Sequence, residues 1–127
     1  MTMGDRVELD QFLRGEVDLG DFPHREHVRM GFEMLGRYDF AQTAFRYSNA
    51  LRAMTQRVGK AEAFHQTVTI AFLALIAERL HARAYPDFAA FAAANPDLMS
   101  RAALARWYSP QRLATDAARA TFLLPDL

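Results

Sequence analysis

Three histidines, His24, His27 and His65, are the residues whose type and spacing point most directly to chemistry in this chain. They stand in the strings Phe22-Pro23-His24-Arg25-Glu26-His27 and Phe64-His65-Gln66-Thr67-Val68-Thr69. Imidazole is the commonest metal ligand and the one side chain whose ordinary pKa lies near neutrality. Residues three apart on a helix, as His24 and His27 are, have Cβ atoms about 5–6 Å from each other and can chelate one ion. With His65 as third ligand they would form an open three-histidine centre, a geometry that zinc uses for catalysis rather than for structure. Such a centre acts as a Lewis acid or as a source of hydroxide on a small-molecule substrate. All-imidazole ligation suits Zn, Ni, Fe or Cu, and sequence does not choose among them. Without a metal, His27 or His65 is a general base.

The neighbours of these histidines add roles and competing roles. Glu26 is the candidate catalytic acid–base group at the site mouth; as a first-turn acid it equally complements the helix dipole. The string HREH is not the HExxH pattern of zinc proteases, which needs its histidines four apart. Thr67, Thr69 and Tyr108 are candidates to contact substrate or to support the histidines. Thr69, one turn beyond His65, also reads as its hydroxyl partner. Gln66 reads as exposed helix surface.

Helices must carry these residues. No alternating β-branched run is bounded by turn pairs, and no Asn-Gly or Asp-Gly occurs. Glycines and prolines divide the chain into helical windows instead. The pattern predicts a short helix over 7–13 and long helices over 23–37, 39–58 and 61–83. Smaller ones follow over 87–94, 96–107 and 115–121. The expectation is an all-α domain spanning 1–127. Its core is an up-down-up helical bundle, with a short N-terminal helix and small C-terminal helices around it. Gly31 sits mid-helix on an inner face, where it either leaves room for a ligand or lets helices approach.

Short connections at Tyr38-Asp39 and Gly59-Lys60 make neighbouring helices antiparallel. The first and third long helices then begin at the same end of the bundle. At 1.5 Å per residue, the path from His24 descends roughly 20 Å, returns roughly 28 Å and falls back roughly 6 Å to His65. His65 therefore reaches the level of His24 and His27, whereas His81 lies roughly 24 Å beyond it. All three histidines are near helix starts, where the positive dipole end disfavours imidazolium. A neutral ring suits a metal ligand and a catalytic base alike.

Composition limits the alternatives. The chain has 127 residues, 51% hydrophobic and 24% charged, with zero formal net charge, as expected of a water-soluble globule. No basic excess points to nucleic acid or an anionic membrane surface. With no cysteine there is no disulfide, thiolate ligand or cysteine nucleophile. The polar start has no signal-peptide core, and the most apolar run, 68–77, is too short for a bilayer. The expectation is a cytoplasmic protein. A competing class is a metal-free helical ligand-binding or homodimerisation module, with the histidines in packing or acid–base roles. An exposed patch of Phe88, Phe91 and Leu98 would serve the dimer. In the tail, Leu113, Phe122 and Leu124 are expected to close the core, with a lid built on Arg119 and Pro125-Asp126 as the alternative.

The chain resembles a family of small bacterial helical proteins of unassigned function. The resemblance rests on Phe22, His24 and His27 (F-x-H-x-x-H), on His65, Thr67 and Thr69 (H-x-T-x-T), and on the tail residues Tyr108-Ser109, Leu113, Ala118-Arg119, Phe122 and Pro125-Asp126. It covers most of the chain from residue 22 onward. It implies that the three histidines and the tail belong to one site, and it supplies no reaction. The family pattern carries an acid after the third histidine, where this chain has Gln66, so an acidic role there is lost.

Overall fold

Caps and glycine turns set the helix boundaries in the computed structural model, which describes residues 7–127; the polar start, 1–6, lies outside the described residues. These residues form seven α-helices and four 3-10 stretches, with no strand among them. The helices are α1 (Leu9–Leu13), α2 (His24–Leu35), α3 (Phe40–Arg57), α4 (Gln66–Ala82), α5 (Phe88–Ala94), α6 (Pro110–Leu113) and α7 (Asp116–Ala120). The chain is all-α. Pro23 sits just outside α2 as its N-cap, one residue earlier than the expected first-turn position. Asp39 caps α3 by accepting the Gln42 N–H at 2.8 Å. Gly59, at φ +72°, turns the chain after α3 in a conformation that costs other residues steric strain.

Two expected helices differ from their pattern. The third long helix begins at Gln66 rather than near 61, because Ala61–Ala63 closes a separate 3-10 turn and Phe64 is extended. His65 becomes the N-cap. The predicted helix over 96–107 is two 3-10 stretches, Pro96–Met99 and Arg101–Arg106. Ser100 breaks it: its backbone is extended, and its hydroxyl takes the Ala102 N–H at 3.1 Å in place of a helical carbonyl. Asn95 does not cap this segment with its side chain. Its amide donates to the Phe91 carbonyl at 2.8 Å and accepts from Arg79 at 2.8 Å.

Helices α2, α3 and α4 pack against one another pairwise. Gly31 brings α2 close to α4: an added Cβ would stand 3.0 Å from side-chain carbons of both Leu73 and Ile76. Of the two roles open to Gly31, room for a ligand or close helix approach, the structure has the second. The core divides into two clusters. One joins α1, α2 and α3 through Phe12, Met30, Met34, Tyr47 and Met54. The other joins α4 to the C-terminal third through Phe72, Ile76, Phe91, Leu98 and Tyr108. Helix α4 serves both, Leu73 entering the first and Phe72 the second.

The N-terminal segment is tied down by arginines. The Arg29 guanidinium, itself buried, pairs with Glu26 and Glu33 and donates to the Val7 carbonyl. Arg57 donates to the Gly15 and Val17 carbonyls. Gly15 has φ +69°, and a Cβ there would come within 2.7 Å of the Ala53 Cβ. Only glycine fits.

Two apolar expectations are corrected. Phe88, Phe91 and Leu98 are buried in the second cluster and form no surface patch, since α5 and the turn after it fold onto α2. In the tail Phe122 and Leu124 are exposed, at 40% and 69%, so they do not close the core. Hydrogen bonds hold this segment instead. No helix among the described residues is long and apolar enough to cross a membrane.

Candidate functional site

His24, His27 and His65 all line one cavity of about 530 Å³. That volume lies in the range of about 300–1,000 Å³ common for small-molecule sites. The cavity occupies the seam between the two core clusters: Phe22, Tyr47, Leu51 and Leu73 come from the first, Val28, Phe72 and Ile76 from the second. The starts of α2 and α4, the middle of α3 and the turn at Ala63-Phe64 supply its walls. Ala63 and Arg101 line it while remaining exposed, and so mark its mouth. Among the described residues no carboxylate lines it.

The three rings do different things. His65 uses both nitrogens. Its Nδ1 accepts the Val68 N–H at 3.1 Å, which caps α4. Its Nε2 must then carry the proton, and it meets the Leu113 carbonyl at 2.7 Å. His24 places Nε2 2.9 Å from the Leu98 carbonyl, which can only accept, so this nitrogen also carries a proton. Its ring stands edge-on to Phe72, at 5.0 Å between centroids. Burial pushes the His24 pKa down and the nearby Arg101 charge adds to this, against the Leu98 hydrogen bond.

His27 is the most strongly perturbed of the three. Its ring lies against Phe22, with centroids 4.0 Å apart. Burial first, then the proximity of His24 and Arg101, lowers its pKa from 6.5 to about 4, against a backbone hydrogen bond to Phe22. It is therefore uncharged at neutral pH. Tyr47 donates its hydroxyl to the His27 carbonyl at 2.8 Å, and burial pushes the phenol pKa far up.

Glu26 is not among the cavity residues. Its position on α2 turns it away from His24 and His27, and its carboxylate accepts from Arg29 at 2.7 Å and from the Val7 N–H at 3.0 Å. The acid–base role expected of it gives way to a buried ion pair. Thr69 lines the cavity and donates to the His65 carbonyl at 2.7 Å. Thr67 and Tyr108 do not line it. Thr67 donates to the Thr121 carbonyl at 2.8 Å and accepts the Leu123 N–H at 3.0 Å. Tyr108 donates to the Leu123 carbonyl at 2.7 Å. Ser109 bonds Asp126 at 2.6 Å through its hydroxyl. These threonine, tyrosine and tail residues form a latch for the C-terminus, joined to the cavity through His65 and Leu113. His81 is exposed and apart from the site.

Among the described residues, no group of three His, Cys, Asp or Glu side chains is placed to hold a metal ion. The donor chemistry gives the reason. A ligand nitrogen needs a free lone pair, and His65, as folded, has none. The donor set does not fit a three-histidine centre.

Sequence reasoning passed over Arg101 and the aromatic wall of Phe22, Phe64 and Phe72 as site residues. Phe72 lies seven residues beyond His65, at helical spacing, while Phe22 and Phe64 lie outside the helices beside the histidines in their own strings, which is the signal that could have found them. Arg101 carries no such mark, because a 3-10 stretch brings it to the mouth. No protein-family model, curated protein or solved structure matches this chain.

Proposed function

We propose that this protein binds a small, largely apolar molecule in the cavity at the seam of its two core clusters, with His27 as the uncharged polar group that orients it. One observation carries this reading: a ring kept neutral by burial opens onto an aromatic- and aliphatic-walled space large enough for a small molecule. A base with a pKa of about 4 is weak at neutrality, so binding is better supported than proton abstraction. We also infer that the F-x-H-x-x-H and H-x-T-x-T strings act together, since Phe22, His24, His27, His65 and Thr69 border the same space.

The test is an NMR titration with a library of small apolar fragments, following the His27 ring and the methyl groups of Leu51, Leu73 and Ile76. Binding fragments should shift these signals together. Ala63→Trp at the exposed rim should weaken every such fragment. A library that leaves these signals unmoved, or shifts that persist unchanged in the Trp variant, would overturn the reading.

The metal reading, with Zn, Ni, Fe or Cu on His24, His27 and His65, requires His65 to free a ring lone pair by giving up at least one of its present partners. Near-stoichiometric metal in purified, tag-free protein, lost in His65→Ala, would restore it.

A further inference from the structure

Among the described residues the arginines are almost uniformly occupied. Arg14, Arg29, Arg37, Arg57, Arg79 and Arg119 face carboxylates. Arg25, Arg46, Arg83 and Arg106 lie over aromatic rings. Arg52 bonds Gln66 and covers Phe64, and Arg112 donates to the Leu124 carbonyl. Among the described residues Arg101 alone has no carboxylate, carbonyl, amide or ring for a partner. It is also the arginine at the mouth of the cavity.

The rest of the lining gives this charge nothing to pair with. Among the described residues no aspartate or glutamate is present there. The other ionisable lining groups are His24, His27, His65 and Tyr47, none of which is an anion as folded. Arg101 is close enough for its charge to oppose protonation of both His24 and His27. The cavity is therefore an apolar space with a positive mouth. An unpartnered guanidinium beside a low-dielectric space favours a planar anion, which it can grip through two parallel N–H donors.

We infer that the ligand of this cavity is an organic carboxylate: an apolar body lodged between the two clusters, with its carboxylate held by Arg101 at the mouth. This rests on the reading of the cavity as a small-molecule site. It adds the charge and chemical class of the ligand and a residue that selects for them.

Matched probes test it. Octanoate and 1-octanol share a chain and differ in the charged head; 4-phenylbutyrate and 4-phenylbutanol repeat the comparison with an aromatic body. Calorimetric titrations at neutral pH and low ionic strength should show each acid binding about tenfold or more tighter than its alcohol. Arg101→Gln should bring the acids down to the alcohols and leave the alcohols unchanged. Arg101 is exposed, so the variant should fold. Arg106→Gln, an equally exposed arginine outside the cavity, should change nothing. Acids and alcohols binding equally well, or an acid preference that survives Arg101→Gln, would overturn the carboxylate while leaving the cavity as a site. If neither acid nor alcohol binds, the reading of the cavity itself fails, and this inference with it.

Discussion

The starts of α2 and α4 border the same cavity and both carry histidine, yet they use it in opposite ways. At α4 the ring of His65 is bonded on both sides, to the Val68 N–H and the Leu113 carbonyl. It is a structural peg that happens to line a cavity. At α2 the ring of His27 is buried against Phe22, and its environment resists charge. The contrast shows that shared location is not shared role. A polar group with every valence satisfied stabilises a fold, whereas a ring kept uncharged beside an apolar space can serve the recognition proposed above.

The largest effect should come from acid. The His27 pKa of about 4 lies below its ordinary 6.5, so the unfolded chain takes up this proton first as pH falls. The stability that depends on the neutral ring is complete above pH 6.5 and is lost between there and about pH 4. The loss should approach about 3 kcal/mol. His24, also lowered, acts in the same direction. Urea unfolding across this range should show the slope, and His27→Gln should remove most of it. A slope unchanged by that substitution would break the contrast at its α2 end.

Next in size is the peg. His65→Ala removes a helix cap and a hydrogen bond, and should cost about 2 kcal/mol at neutral pH. His65→Asn keeps a capping oxygen and should recover about 1 kcal/mol of that. Thermal unfolding separates the two, and equal losses would mean that capping is not what the ring supplies. Thr67→Val, which releases Thr121 and Leu123, should cost about 1 kcal/mol and speed amide exchange at Leu123. The smallest effect is expected at Gln66→Glu. The side chain already bonds the exposed Arg52, so an ion pair there should change stability by less than about 0.5 kcal/mol.

Periodicity and punctuation made the helices legible: α2 and α3 each end within two residues of the boundaries their sequence predicts. The presence of three histidines at one space follows from helix rise and two short turns. Less legible was what each ring bonds. Leu98 and Leu113 lie far along the chain from His24 and His65, and backbone carbonyls leave no mark in a sequence. The start of α4 is hidden for a related reason. Ala61-Glu62-Ala63 has good helical propensity, but tertiary packing of Phe64 at the cavity edge outweighs it. Thr67 and Tyr108 read as site residues in the sequence yet fasten the tail, because a buried hydroxyl looks the same in sequence whether its partner is a ligand or a backbone.

The backbone that carries both mouth residues, Ala63 and Arg101, is 3-10 rather than α-helical. Arg101 opens a 3-10 stretch joined to another by the extended Ser100, while most of the remaining lining stands on α-helices. Bonds of the 3-10 type are poorly aligned and short runs of them open at low cost. For the ligand proposed above, traffic in and out should then be governed by brief local fraying of 96–106 rather than by separation of α2 from α4. Residence time and affinity would become separately adjustable: a proline or a better helix former on this side would slow exchange without touching a single group that meets the guest.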